Sequence, residues 1–169
     1  MAGRFSTLAM VVVVALAGCT VQPLYAPTAA GTSPVASLGA ISIDPVGSRV
    51  SQEVRNRLIF ALNGGKGQPA NAPYHMRLVV TSSESALGVT PIATAPAYSV
   101  TVAATYEVRS TVDDKILLRD TVRQSASYDR VNQAYANERA LLNAQDRAAN
   151  LVADVIRLDL AAAAAKGTL

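Results

Sequence analysis

Few residues in this chain of 169 can do chemistry, and their spacing limits what that chemistry is. There is one cysteine, Cys19, and one histidine, His75. A single thiol cannot close a disulfide within the chain, and one Cys with one His cannot build a metal site of those ligands. His75 has no cysteine partner and no adjacent nucleophile, so it reads as a solvated or hydrogen-bonded surface residue. Gly64-Gly65-Lys66-Gly67 sets a lysine among glycines. It lacks the four-residue gap and the Ser/Thr of a phosphate-binding P-loop, and reads as the turn after a helix. No nucleophile elbow and no paired-carboxylate motif is present. The expectation is a protein without catalytic residues, cofactor or metal.

The arginines carry more information. Arg77, Arg109, Arg119 and Arg123 fall on strand-like runs, at the parity opposite the apolar residues. Guanidinium groups gathered on one face suit bidentate capture of phosphate or anionic sugar, so these four are the candidate ligand or partner contacts. Glu107 and Asp120 neutralise part of that face. The formal charge of +3, from 15 basic and 12 acidic residues interspersed along the chain, is too small for a nucleic-acid partner. With 50% hydrophobic residues the chain can bury a core, and its length suits one domain.

These residues need elements to position them, and the first segment is not one of those elements. Residues 1–18 place Arg4 before an apolar run from Leu8 to Leu16, too short to span a bilayer and typical of an export signal. Leu16-Ala17-Gly18-Cys19 resembles the lipobox of bacterial lipoprotein precursors. The resemblance implies cleavage before Cys19, diacylation of its thiol and acylation of its amine, giving several chains where one would anchor poorly. Thr20 follows in place of Asp, which on the same resemblance points to the outer membrane. Residues 19–37, with Pro23, Pro27 and Pro34, read as an extended tether between the lipid and a domain over 38–163.

Within that domain, Leu38 to Pro45 reads as a short strand. Ser48 caps a helix with Val50, Val54, Leu58 and Leu62 at helical spacing, which Asn63-Gly64-Gly65 ends. Strands follow over Tyr74–Ser83, Tyr98–Val112 and Ile116–Tyr128. A three-residue turn, Asp113-Asp114-Lys115, aligns the apolar faces by placing Tyr106 opposite Val122 and Val112 opposite Ile116. The same register sets Arg109 against Arg119, a mildly repulsive pair. A last helix spans Tyr135 to Ala163, with Leu141, Ala144, Ala148, Leu151, Val155 and Leu158 as its docking stripe. The tail 164–169 is expected to fray, with Ala161–Ala163 already loosening. The order β-α-β-β-β-α predicts an α+β fold. It would be a mainly antiparallel sheet of about four strands, with two helices on one face and the other face uncovered.

Several segments are together similar to the LPS-assembly lipoprotein family, LptE (formerly RlpB), in its alphaproteobacterial branch. Val21-Gln22-Pro23-Leu24-Tyr25 follows the lipobox as that branch's "xxPLY" segment does. Gln52-Glu53-Val54-Arg55-Asn56-Arg57-Leu58 is similar to the first-helix pattern, and Ser125-Ala126-Ser127-Tyr128, Tyr135-Ala136 and Asp146-Arg147-Ala148 to the later "SxSY…YA…AxxRA" stretch. The chain lacks the glycine usual in the last hairpin. The resemblance implies a non-enzymatic role: a lipoprotein plugging the outer-membrane barrel LptD, assisting its assembly and helping place lipopolysaccharide in the outer leaflet. It also implies lipopolysaccharide as a ligand and the membrane as a partner through the lipid anchor. The alternative is an auxiliary lipoprotein of a lipid-trafficking ABC system, which would pair a lipidated cysteine with a similar small domain.

Overall fold

The computed structural model describes residues 34–87 and 97–169. The export segment, Cys19 and the tether as far as residue 33 therefore lie outside the described residues. The elements run α1 (Pro34–Gly39), β1 (Ile41–Ile43), α2 (Arg49–Asn63), β2 (Tyr74–Leu87), β3 (Ala97–Ser110), β4 (Ile116–Asp129) and α3 (Ala134–Ala165). They form the expected α+β fold around one sheet ordered β1-β2-β3-β4. The sheet is mixed: β1 runs parallel to β2, and the remaining neighbours are antiparallel.

Local chemistry explains α2 directly. The Ser48 hydroxyl accepts from the Ser51 backbone N–H at 3.1 Å, satisfying one of the helix's orphan donors. Gly64 closes the helix at φ 58°, a left-handed conformation that glycine reaches without a Cβ penalty. Val54, Leu58 and Leu62 of α2 are buried against Ile41, Ile43, Met76 and Leu78, so α2 covers β1 and the start of β2. Helix α3 covers β3 and β4 in the same core.

Three expectations change. The strand read over Leu38–Pro45 contracts to Ile41–Ile43, and residues 34–37 of the tether belong to α1. A proline at the first helical position has no N–H to lose, and Pro45 cannot continue the ladder. The docking stripe of α3 also moves. The buried residues follow an i, i+4 row, Ala144, Ala148, Val152, Ile156 and Leu160, with Ala149 and Ala153 beside it. Leu151 and Leu158 are 47% and 45% exposed. Each step of four advances 40° around the helix, so the contact face winds along α3 instead of following a 3/4 stripe. Finally, α3 continues to Ala165 with Ala161, Ala163 and Ala164 buried, because the alanine run packs where fraying was expected.

The β3–β4 register differs as well. Tyr106 pairs with Asp120 and Ala104 with Val122, and an irregularity between Val108 and Arg109 brings Arg109 opposite Ile116. The loop is longer than three residues: the Ser110 N–H donates to the Lys115 carbonyl at 3.0 Å. Thr111 is drawn the other way, its N–H donating to the Pro73 carbonyl at 2.9 Å. Val112 is left 91% exposed. As far as Val108 the slip is two residues, so Arg119, Thr121 and Arg123 keep their predicted face. Ile116, expected on the core face, instead pairs with Arg109 on the other one and is 43% exposed. Asp120, read with the arginines, lies opposite Tyr106 on the core side.

Candidate functional site

The sheet face away from the helices holds all four predicted arginines, but they do not meet as the sequence reading had it. Glu107 stands between them. It pairs across the sheet with Arg77 on β2 and Arg119 on β4, and with a side chain 11% exposed it is nearly buried. Arg109 Nε donates to Glu107 Oε1 at 2.5 Å, and its Nη1 donates to Asp114 Oδ2 at 3.1 Å. Arg119 Nε lies 3.6 Å from Glu107 Oε2. The expected Arg109–Arg119 repulsion is therefore absent, because the two-residue slip and the irregularity place a carboxylate where an arginine was expected. Hydrogen bonds to Glu107 and then Asp114 raise the Arg109 pKa, so its charge is held firmly. Arg123 is opposite Ala103, one sheet step further along. Among the described residues neither Arg77 nor Arg123 forms an ion pair, so these two cations face solvent uncommitted.

Beside this cluster, at the β1 end, lies a cavity of about 320 Å³ lined by Asp44, His75, Arg77, Arg109 and Asp114. The pleat explains the grouping: Ser42, His75 and Arg109 are register partners across β1, β2 and β3. His75 Nδ1 lies 3.0 Å from Ser42 Oγ and 3.6 Å from Asp44 Oδ1. His75 is thus a hydrogen-bonded surface residue, as read, but one at a cavity wall. Sequence reasoning missed that wall because Asp44 and Asp114 come from loops whose position only the register fixes. Further along, the face is lined with hydroxyls. Thr101 pairs with Ser125 at 2.8 Å and Thr105 with Thr121 at 2.9 Å. A larger cavity of about 640 Å³ opens at the end of α2, beside Leu62, Gly64, Lys66 and Gly67. Gly64, Gly65 and Gly67 all have positive φ, which fits the turn read there.

Among the described residues, three of the segments that carried the family resemblance act as fasteners. Arg55 Nε donates to the Asp44 carbonyl at 2.9 Å, tying α2 to the end of β1. Arg147 Nη2 donates to the Ser127 carbonyl at 2.6 Å, tying α3 to β4. Tyr128 Oη donates to Glu84, which also accepts from Arg130 at 2.9 Å, and Arg130 lies 4.1 Å above the Tyr98 ring. In the core, Tyr106 Oη donates to Asp159 Oδ2 at 3.2 Å. Burial, then the Asp159 charge, pushes the phenol above its ordinary range. Among the described residues, no group of acidic, histidine or cysteine side chains could hold a metal ion. No helix there is long and apolar enough to cross a membrane.

The fold recurs in solved structures. A lipoprotein from Caulobacter crescentus CB15 matches with a TM-score of 0.66 at 22% identity, covering 79% of this chain and 96% of that one. A minor lipoprotein from Acinetobacter baumannii matches with a TM-score of 0.54 at 17% identity, covering 72% and 90%. Rare lipoprotein B from Shewanella oneidensis matches at 0.50 and 17%, covering 75% and 94%. At these identities the likeness establishes the fold alone. No curated protein matches the chain. The family model described as LptE, lipopolysaccharide-assembly, matches residues 38–159, which takes in the sheet, α2 and most of α3. The chain belongs to the LptE family of lipopolysaccharide-assembly lipoproteins.

Proposed function

We propose that this protein is a lipid-anchored lipoprotein of the outer membrane, facing the periplasm. In that role it plugs and assists the assembly of an LptD-type barrel and takes part in carrying lipopolysaccharide to the outer leaflet. The family match over residues 38–159 carries the reading. A sheet face lined by hydroxyls and arginines supports it, since a polar surface suits the polar interior of a large barrel. Function by binding, not catalysis, accords with the family. The test is affinity purification of the tagged full chain after mild detergent extraction of membranes. Recovery of a barrel of LptD type is the expected result. Recovery of an inner-membrane ABC transporter without a barrel overturns the proposal in favour of the auxiliary role.

Arg77, Arg109, Arg119 and Arg123 are the proposed contacts for lipopolysaccharide or the barrel, and the ion pairs rank them. Arg109 is committed to Glu107 and Asp114, whereas Arg119 is 66% exposed and only distantly paired. A desolvated charge-assisted contact contributes roughly 1.5–3 kcal/mol. Arg119→Ala/Arg123→Ala should therefore weaken lipopolysaccharide binding by the full chain about tenfold or more. Its circular dichroism should be unchanged, and added salt should weaken wild type more than the variant. Equal affinity of variant and wild type would make these two arginines a merely solvated face.

A further inference from the structure

We infer that the cavity between β1, β2 and β3 is a binding site for a phosphate-type oxyanion, and that protonation of His75 strengthens it. The inference rests on the reading of the helix-free face as anion-contacting. It involves Arg77 and His75, not the Arg119 and Arg123 that test that reading, so either can fail without the other.

The lining is balanced in charge while the imidazole is neutral. Arg77 and Arg109 contribute two positive charges, and Asp44 and Asp114 two negative ones. These groups come from every element around the cavity: Ser42 and Asp44 from β1 and the residues after it, His75 and Arg77 from β2, Arg109 from β3, and Asp114 from the hairpin loop. Glu107, across from Arg77, is already divided between Arg109 and Arg119. Arg77 therefore offers an uncommitted guanidinium whose planar fork matches two oxyanion oxygens. His75 Nδ1 is occupied by Ser42 and lies near Asp44. Nε2 is then the ring nitrogen without a described partner. In the neutral ring with Nδ1 as donor, Nε2 carries a lone pair and repels an oxyanion. In the imidazolium it becomes a donor, and the lining turns net positive. Lower pH therefore favours the bound anion, and the coupling is reciprocal.

Sulfate is the first probe, because its charge is constant across the range in which histidine titrates. Binding is read from the backbone amide resonances of His75, Arg77 and Arg109 in the full chain held in non-ionic detergent. Wild type should bind sulfate about tenfold more tightly at about pH 5.5 than at about pH 7.5. His75→Asn should reduce that difference to within about twofold, and Arg77→Gln should weaken binding at both pH values. Asp44→Asn removes a repelling carboxylate and should tighten binding at both, a gain that no loss of folding can imitate. Inorganic phosphate and glycerol 3-phosphate at the lower pH distinguish the sources. Equal affinity points to a free oxyanion, and tighter glycerol phosphate to a phosphomonoester headgroup. A pH difference that persists in His75→Asn overturns the inference. So does wild-type affinity independent of pH, or chloride at matched ionic strength producing the same shifts.

Discussion

Ile156→Asp should abolish cooperative folding of the domain, while Leu151→Asp should leave it nearly as stable as wild type. Ile156 is fully buried in the α3 contact row, in one core with Val54, Val102, Tyr106 and Val152. An aspartate there would bury an unpaired carboxylate, at a cost of several kcal/mol. The loss of the isoleucine side chain and the void left behind add roughly 2–5 kcal/mol. A domain stable by about 5–15 kcal/mol has little left after both. Leu151 is 47% exposed, four residues after Arg147 and three before Asp154. A carboxylate at that position stays in water and costs only helix propensity, within about 1 kcal/mol. Urea or thermal melting followed by circular dichroism separates the two. Similar midpoints for both variants would mean that α3 does not dock along its i, i+4 row.

The second large effect concerns the anchor. Cys19→Ser should eliminate incorporation of labelled palmitate, because the chain offers no other thiol. The variant should also keep the export segment 1–18, since the resemblance implies cleavage before a cysteine that the variant lacks. Each buried methylene of an acyl chain contributes about 0.8 kcal/mol to membrane attachment. Losing every chain is therefore no gradual weakening but a change from an anchored to an unanchored protein. Equal palmitate labelling of variant and wild type would refute the lipobox reading. A labelled wild type that fractionates with the inner membrane would keep the anchor but refute the proposed location.

What the sequence revealed follows the range of the interactions involved. The cap at Ser48 and the stop at Gly64 involve neighbours within a few residues, so residue type alone predicted both. Strand parity was equally legible: Val100, Val102, Ala104 and Val108 face the core, while Thr101, Thr105 and Arg109 do not. Register was not legible, because it goes with contacts such as Thr111 N–H to the Pro73 carbonyl, which join segments distant in sequence. That slip of two residues left the arginines on the expected face but changed their partners, making Glu107 a hub where repulsion was expected. The α3 stripe misled for a different reason. Leucines draw attention, yet the face that meets the sheet is rich in alanine, which lets helix and strands approach closely. His75 was classed correctly by its lack of catalytic neighbours, but its cavity is assembled by three strands and two loops.

The early end of β1 also bears on how the sheet is expected to assemble. Strands β2, β3 and β4 form a meander whose members follow one another along the chain, so each pairing closes a short loop. Pairing β1 with β2 must instead close the segment 44–73, which contains all of α2. By loop-closure entropy that costs about 1 kcal/mol more than closing the segment 88–96, and three residue pairs repay it. Contacts of this kind reward the chain only after the closure has been made. Closure entropy thus favours forming the meander with α3 first and seating β1 last. By the same reasoning, an edge strand held by three residue pairs is the one expected to open first, which amide exchange at Ile41–Ile43 would read. The cavity wall that includes Ser42 and Asp44 consequently exists only while that final strand is seated.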